Sequence, residues 1–380
     1  MTMNLKSSFV RFLNKKYPHL TSEQLDPLIS EMLLSPHIVP IHENLISQIQ
    51  NEINVYWNLR TWGENNLGPL FQSYNLRKPK NYSVCMSYDF HVTPSGGLEL
   101  IEINTNASFL ALGLEMYEFF GLINPVDEFS QKELVGMFDE ELALLSLDSQ
   151  KTQIFIVDEK PQEQRLYLEF LLFKTYLKKY TAQILDLTDI NSVVSEKHSS
   201  FIYNRYTDFY LQNANSQLLK NLYNEKKIEL SPNPYEYFLL ADKQRFVDWN
   251  TQHELPKPKS LLAVYDLAHA EKDKIWNERK NLFFKPKNAF GSKQVYKGAS
   301  MSRKVFEEMM NPQYIAQQIS PAPELQVKLN NEPQTLKYDL RCYAYKNKLQ
   351  LVVARLYQGQ TTNLRTMGGG FACCQVLENI

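Results

Sequence analysis

The sequence predicts a mixed α+β/α/β chain, and three observations carry that prediction. Apolar residues recur at helical spacing through the first 80 residues, a strand–helix–strand order occupies the middle, and paired alternating runs dominate the last hundred residues. At 380 residues the chain exceeds one typical core, so several subdomains are expected. The boundaries read as a helical region over 1–80, a first hairpin-bearing part over 81–150, a βαβ unit over 151–240 and a strand-rich part over 241–380.

Composition bounds the function. Hydrophobic content of 43% with 12% aromatics marks a packed globular protein, and 41 basic against 42 acidic residues leave a net charge of −1. That balance argues against a nucleic-acid partner. No apolar run reaches about 18 residues, which argues against a membrane partner. The four cysteines lack C-x-x-C spacing and the seven histidines lack H-x-x-x-H pairing, so no zinc site is expected and a reducing, cytoplasmic setting is.

In chain order, Thr21-Ser22 can cap a helix running to Leu34, and Asn44–Arg60 carries Leu45, Ile49, Ile53 and Tyr56 on one stripe. That stripe reads as a packing face. Next come two short apolar runs around Pro94-Ser-Gly-Gly97, a hairpin signal. A four-residue loop over 94–97 pairs Thr93 with Leu98, His91 with Leu100 and Asp89 with Glu102. A helix is then expected through Leu145. Gln153–Val157, Ala182–Leu187 and Ser200–Asn204 read as strands around a Glu163–Tyr180 helix, with parallel pairing implied. Tyr235–Trp249 resumes helix. Asn281–Lys285, Gln294–Lys297 and Tyr314–Ile319 read as strands, Met301–Asn311 as helix, and Lys337–Tyr345 with Leu349–Tyr357 as a hairpin.

Three constellations bear chemistry. Alternation puts Asp89, Glu102 and Asn104 on one face of the first hairpin. Opposed side chains lie about 4.5–5.5 Å apart at Cβ, so the two carboxylates repel unless a cation intervenes. The trio is therefore either a solvated acidic face or an oxygen set for a hard divalent ion such as Mg²⁺. Second, Lys285 ends a strand beside the loop Lys287–Lys293 (K-N-A-F-G-S-K), either a solvated basic hairpin or a phosphate grip of backbone amides and an ammonium. Third, Arg341 and Arg355 lie on paired strands and Arg365 in the loop beyond. They suit planar oxyanions, or else structural pairs with Asp339 or Glu324. Gly368–Gly370 reads as a closing loop or as a simple turn.

Together these residues resemble the ATP-grasp superfamily, specifically its circularly permuted branch, which includes eukaryotic-type glutathione synthetases and further bacterial proteins. Asp89 and Glu102-Ile-Asn104 match that family's metal-holding hairpin, and Leu100–Phe109 echoes its L-I-E-I-N-T-x-A-S-F run. The hairpin precedes the phosphate-gripping strands, as in the permuted branch. The resemblance implies ATP-phosphate contacts for Lys285 and Lys243, and a flexible lid over 288–293 bearing Ser292 and Lys293. It also implies adenine contacts near Gln317 or Gln318, ribose at Glu324, and a Rossmann-like substrate subdomain over 151–240. Two departures stand out: the 287–293 loop has no acid, and Ser87 occupies a position those synthetases fill with arginine.

The activity so implied is an ATP- and Mg²⁺-dependent carboxylate–amine ligase acting on small-molecule substrates through an acyl phosphate. Arg341 would stabilise the transferring group, and Arg365 would orient the acceptor's carboxylate. A homodimer is the assembly implied. The alternatives are a nucleotide-binding module without ligase activity and a kinase acting on a hydroxyl.

Overall fold

The computed structural model describes residues 4–126, 129–252, 254–288, 295–329, 332–359 and 366–377. Three sheets organise them. The largest has seven strands in the order β1 (Val39–His42), β15 (Gly370–Leu377), β14 (Lys348–Tyr357), β13 (Glu332–Tyr345), β2 (Met86–Val92) and β3 (Leu98–Asn104), with β12 (Glu324–Leu329) pairing the outer half of β13. Only the β1–β15 pairing in it is parallel. A four-stranded antiparallel sheet runs β10 (Tyr296–Lys297), β9 (Leu282–Pro286), β11 (Tyr314–Gln318) and β8 (Val264–Asp266). The third, fully parallel, runs β5 (Gln183–Asp186), β4 (Thr152–Asp158), β6 (Ser199–Asn204) and β7 (Glu229–Ser231).

The seven-stranded sheet is covered on both faces. Leu45, Ile49, Ile53, Tyr56 and Leu59 of the helix Glu43–Asn66 pack with Val352 and Ala354 on one side. Leu110, Leu112 and Met116 of the helix Leu110–Phe120 pack with Leu351 and Val353 on the other. Double coverage explains why β14 is a nearly continuous apolar run. No described helix is long and apolar enough to cross a membrane.

Several local expectations are corrected. The helix expected from Thr21 to Leu34 is a single turn, Ser22–Leu25, continued as a 3₁₀ turn over Asp26–Leu28. Pro27 supplies no amide donor, and the following segment runs alongside β15. The helix expected through Leu145 is two, Leu110–Phe120 and Gln131–Leu144, separated by the left-handed Gly121 and restarted by a Ser130–Glu133 capping box. The helix expected over Tyr235–Trp249 contains a wide π turn, Tyr237–Ala241, and restarts at Gln244. Lys243 sits at that break, where such turns often mark functional sites. Strand β1 escaped notice because it is four residues long and contains Pro40, which an edge strand tolerates.

The hairpin register differs as well. Val92 pairs with Leu98 and His91 with Glu99, one residue from expectation, yet Asp89 still opposes Glu102. A bulge at Ile101 restores the phase. Its cause lies outside the hairpin, because the Leu100 amide donates to the Ser260 carbonyl at 2.8 Å. Ser260 is held in turn by buried Glu52, which accepts from its amide at 3.0 Å and its hydroxyl at 2.5 Å.

The glycine run is a packed turn. Gly370 has φ +112°, and a Cβ there would lie 2.6 Å from the Met32 carbonyl oxygen. Gly359 shares a positive φ of +103° but faces open space. Gly370→Ala is therefore expected to lower the melting temperature clearly more than Gly359→Ala, which bears only the backbone penalty of about 1–2 kcal/mol. Differential scanning fluorimetry of the two variants checks this, and equal losses would contradict the packing.

Candidate functional site

Strands β2 and β3 bring the acidic trio together. The Asn104 amide donates to Asp89 Oδ2 and to Glu102 Oε1, both at 3.2 Å. Asp89 is fully buried, and the sheet register places Arg341 directly opposite it. Arg341 forks onto it, with Nε to Oδ1 at 3.0 Å and Nη2 to Oδ2 at 2.7 Å. Arg355 adds Nη2 to Oδ2 at 2.8 Å and places its Nε 2.6 Å from Asp339 Oδ1. The Ser87 hydroxyl completes the set at 3.1 Å from Oδ1. Burial by itself would raise the Asp89 carboxyl, but the Arg341 and Arg355 charges outweigh it and hold it at about 2.

The lysines come from the smaller sheet and the π-turn break. Lys285, buried on β9, donates from Nζ to Gln317 Oε1 at 2.6 Å and to the Ile101 carbonyl at 3.3 Å. Gln317 Nε2 approaches the Leu100 carbonyl at 3.4 Å. The bulge thus exposes backbone groups that dock the small sheet on the large one. Burial pushes Lys285 down to about 8, with Glu102 opposing and Lys243 adding to the fall. Lys243 is likewise lowered by burial, opposed by Glu102 and Asp242. Two desolvated ammonium groups therefore share the field of Glu102.

Asp89, Glu102, Asn104 and Arg341 are in direct contact, and Lys285, Gln317 and Lys243 adjoin them. Gln318, on the opposite face of β11, is exposed, and Glu324 is exposed on β12 opposite Lys337. Neither is hydrogen-bonded to the cluster among the described residues, and Ser292, Lys293 and Arg365 lie outside the described residues.

Arg355 makes the Asp339 pair that the sequence offered as one alternative, and it also reaches Asp89, which lies far away in sequence. Arg205 escaped the sequence reading. Arg205 follows β6, at the carboxyl end of the parallel sheet, where open α/β sheets bind ligands. It is buried and reaches the Asn106 and Ser108 side chains just after β3, while its Nε has no partner. Nearby Asp158, ending β4, is raised to about 6 by burial, against the lowering effect of Arg205. Strand-end position was the signal that could have found both.

Among the described residues no group of three or more His, Cys, Asp or Glu is placed to hold a metal ion. The donor set offers less than the expected trio. Glu102 is half-exposed, and Asn104 keeps its carbonyl oxygen for a cation because its amide faces the carboxylates. Those two fit a hard divalent ion. The Asp89 oxygens are already taken by nitrogen and hydroxyl donors.

No protein-family model matches the sequence, and no curated protein matches it. Solved structures do. A glutathione synthetase-like effector (GSS30) from Globodera pallida, in apo form, superposes with a TM-score of 0.59 at 10% identity over 90% of each chain. A candidate gamma-glutamylcysteine synthetase from Methylobacillus flagellatus gives 0.47 at 9% identity, over 84% of this chain and 86% of that one. The ATP-grasp ligase PsnB with its minimal precursor gives 0.31 at 9% identity, over 60% and 90%. The latter two are too distant in shape to carry an argument. The chain shares its fold with the glutathione synthetase-like effector.

The buried lysine makes a pH prediction. The unfolded chain keeps this proton up to about 10.5 and the folded chain releases it near 8, so the burial cost is full below pH 8 and fades as pH rises towards 10.5. Lys285→Met should therefore be stabilising relative to the native protein below pH 8, with the difference closing between pH 8 and 10.5. Melting temperatures across that range test it, and a pH-independent difference would contradict it.

Proposed function

We propose that this chain is an ADP-forming carboxylate–amine ligase that uses ATP and Mg²⁺ and acts on a small amino-acid or peptide-like substrate. The observation that carries the reading is the convergence of Lys285 and Lys243, both buried and lowered, beside Glu102 where the two sheets dock. Desolvated ammonium groups are costly without an anion, and a triphosphate supplies one. In this reading residues 81–150 and 241–380 form a circularly permuted ATP-grasp unit, 151–240 a Rossmann-like substrate unit and 1–80 a helical region.

The residues take the following parts. Lys285 and Lys243 neutralise phosphate charge, Ser292 and Lys293 line the phosphate loop, Gln317 and Gln318 lie at the adenine edge, and Glu324 meets the ribose. Glu102 and Asn104 hold Mg²⁺, which when bound offsets phosphate charge. The γ-phosphoryl group passes to a substrate carboxylate oxygen and ADP leaves. The amine then attacks the acyl carbon, loses a proton and displaces phosphate. Arg341 stabilises the transferring group, Arg365 orients the acceptor, and Arg205 with Asp158 offers charged anchors for the substrate. Four buried free cysteines accord with a reducing, cytoplasmic setting, and a homodimer is the assembly proposed.

The second reading, a nucleotide-binding module without ligase activity, draws on the acid-free 287–293 loop. ADP release measured with a panel of amino acids and short peptides separates the two. The ligase requires both a carboxylate and an amine, and yields a product lighter than their sum by one water. A product heavier by a phosphate would instead identify a kinase. Glu102→Gln should lower ADP release by about 100-fold or more without shifting the melting temperature; undiminished release would remove Glu102 from the mechanism.

A further inference from the structure

We propose that Asp89 is a positioning residue for an arginine pair and holds no metal. Arg341 and Arg355 are fixed side by side on it as an oxyanion site distinct from the Glu102–Asn104 metal site. The proposal deepens the ligase reading and rests on it.

A carboxylate offers about four lone-pair sites. Asp89 already accepts from Arg341 Nε and Nη2, Arg355 Nη2, the Asn104 amide and the Ser87 hydroxyl, which is five donors. A divalent ion placed there would displace at least one guanidinium while adding positive charge beside two, in a site that excludes solvent. Glu102, one strand away, has room that Asp89 lacks.

The arginine geometry supplies the purpose. Arg341 spends Nε and Nη2 on Asp89, and Arg355 spends Nε on Asp339 and Nη2 on Asp89. Each keeps Nη1 unengaged among the described residues. Neither Nη1 is a sealed orphan, since both are missing from the buried atoms that lack partners, and each side chain is 11% exposed. Both arginines share Asp89 Oδ2, which holds the two guanidiniums side by side. Asp89 and Asp339 are the carboxylates that the two guanidiniums face. Nη1 donors held in that way suit the planar oxygens of a carboxylate or of a phosphoryl group in transfer.

The test uses the full chain, Mn²⁺ in place of Mg²⁺ and a non-hydrolysable ATP analogue, with bound Mn²⁺ followed by electron paramagnetic resonance. Asp89→Asn should bind Mn²⁺ within about twofold of the native protein, whereas Glu102→Gln weakens it by about tenfold or more. In turnover, Asp89→Asn should lower kcat and raise the carboxylate KM while the KM for ATP stays put. Arg355→Lys keeps the charge but loses the fork, and covers the case in which Asp89→Asn does not fold. It should leave Mn²⁺ affinity unchanged and raise the carboxylate KM by about tenfold. Loss of Mn²⁺ binding in Asp89→Asn equal to that in Glu102→Gln would overturn the proposal, as would native kinetics in Arg355→Lys. If the native protein binds Mn²⁺ and nucleotide but turns nothing over, the ligase reading fails while the Mn²⁺ comparison still decides the metal half. If it binds neither, both readings fall.

Discussion

A carboxylate taken wholly out of water costs several kcal/mol unless it is neutralised and hydrogen-bonded, and Asp89, on the strand next to the edge of the largest sheet, is such a group. Its compensation comes from β13 and β14, so three strands must meet in one register for the charge to be tolerated. A slip of one residue would turn Arg341 to the opposite face and leave the carboxylate bare. The ion cluster thus specifies the sheet as much as it serves the site. Around it the apolar faces of β13 and β14 pack against helices on both sides, which keeps the cluster dry.

The second constraint is the bulge at Ile101. An extra residue in β3 frees the Leu100 and Ile101 backbone groups from the ladder, and Ser260, Gln317 and Lys285 take them up. The small sheet is therefore docked through polar groups beside the acidic trio. That arrangement brings a buried lysine into the field of Glu102. Lys243 arrives by a separate route, at the end of a π turn.

Much of this was legible from local pattern. Pro94-Ser-Gly-Gly97 and period-2 alternation located the hairpin and its Asp89–Glu102 pair, and three of the four β strands of the 151–240 unit followed from apolar runs around a helical segment, the short β7 being missed. The turn register was misjudged because its correction depends on Ser260, which no local pattern links to Leu100. For the arginines, the expected alternative of a pair with Asp339 holds for Arg355, whereas the shared partner Asp89 was not foreseen. β2 and β13 are neighbours only after the chain has folded, so the Asp89–Arg341 pair had no sequence signature. Arg205 was missed for a related reason: its significance comes from lying at a strand end next to the Asn106–Ser108 segment, a juxtaposition the parallel sheet creates.

The proposed ligase activity requires that the seam between the two sheets hold the phosphates of a nucleotide. A crystal structure with Mg²⁺ and a non-hydrolysable ATP analogue tests this most directly. β- and γ-phosphate oxygens are expected within hydrogen-bonding distance of Lys285 and Lys243, with a metal ion on Glu102 and Asn104. A nucleotide bound elsewhere, or Lys285 still directed at Gln317 with no phosphate beside it, would contradict that function.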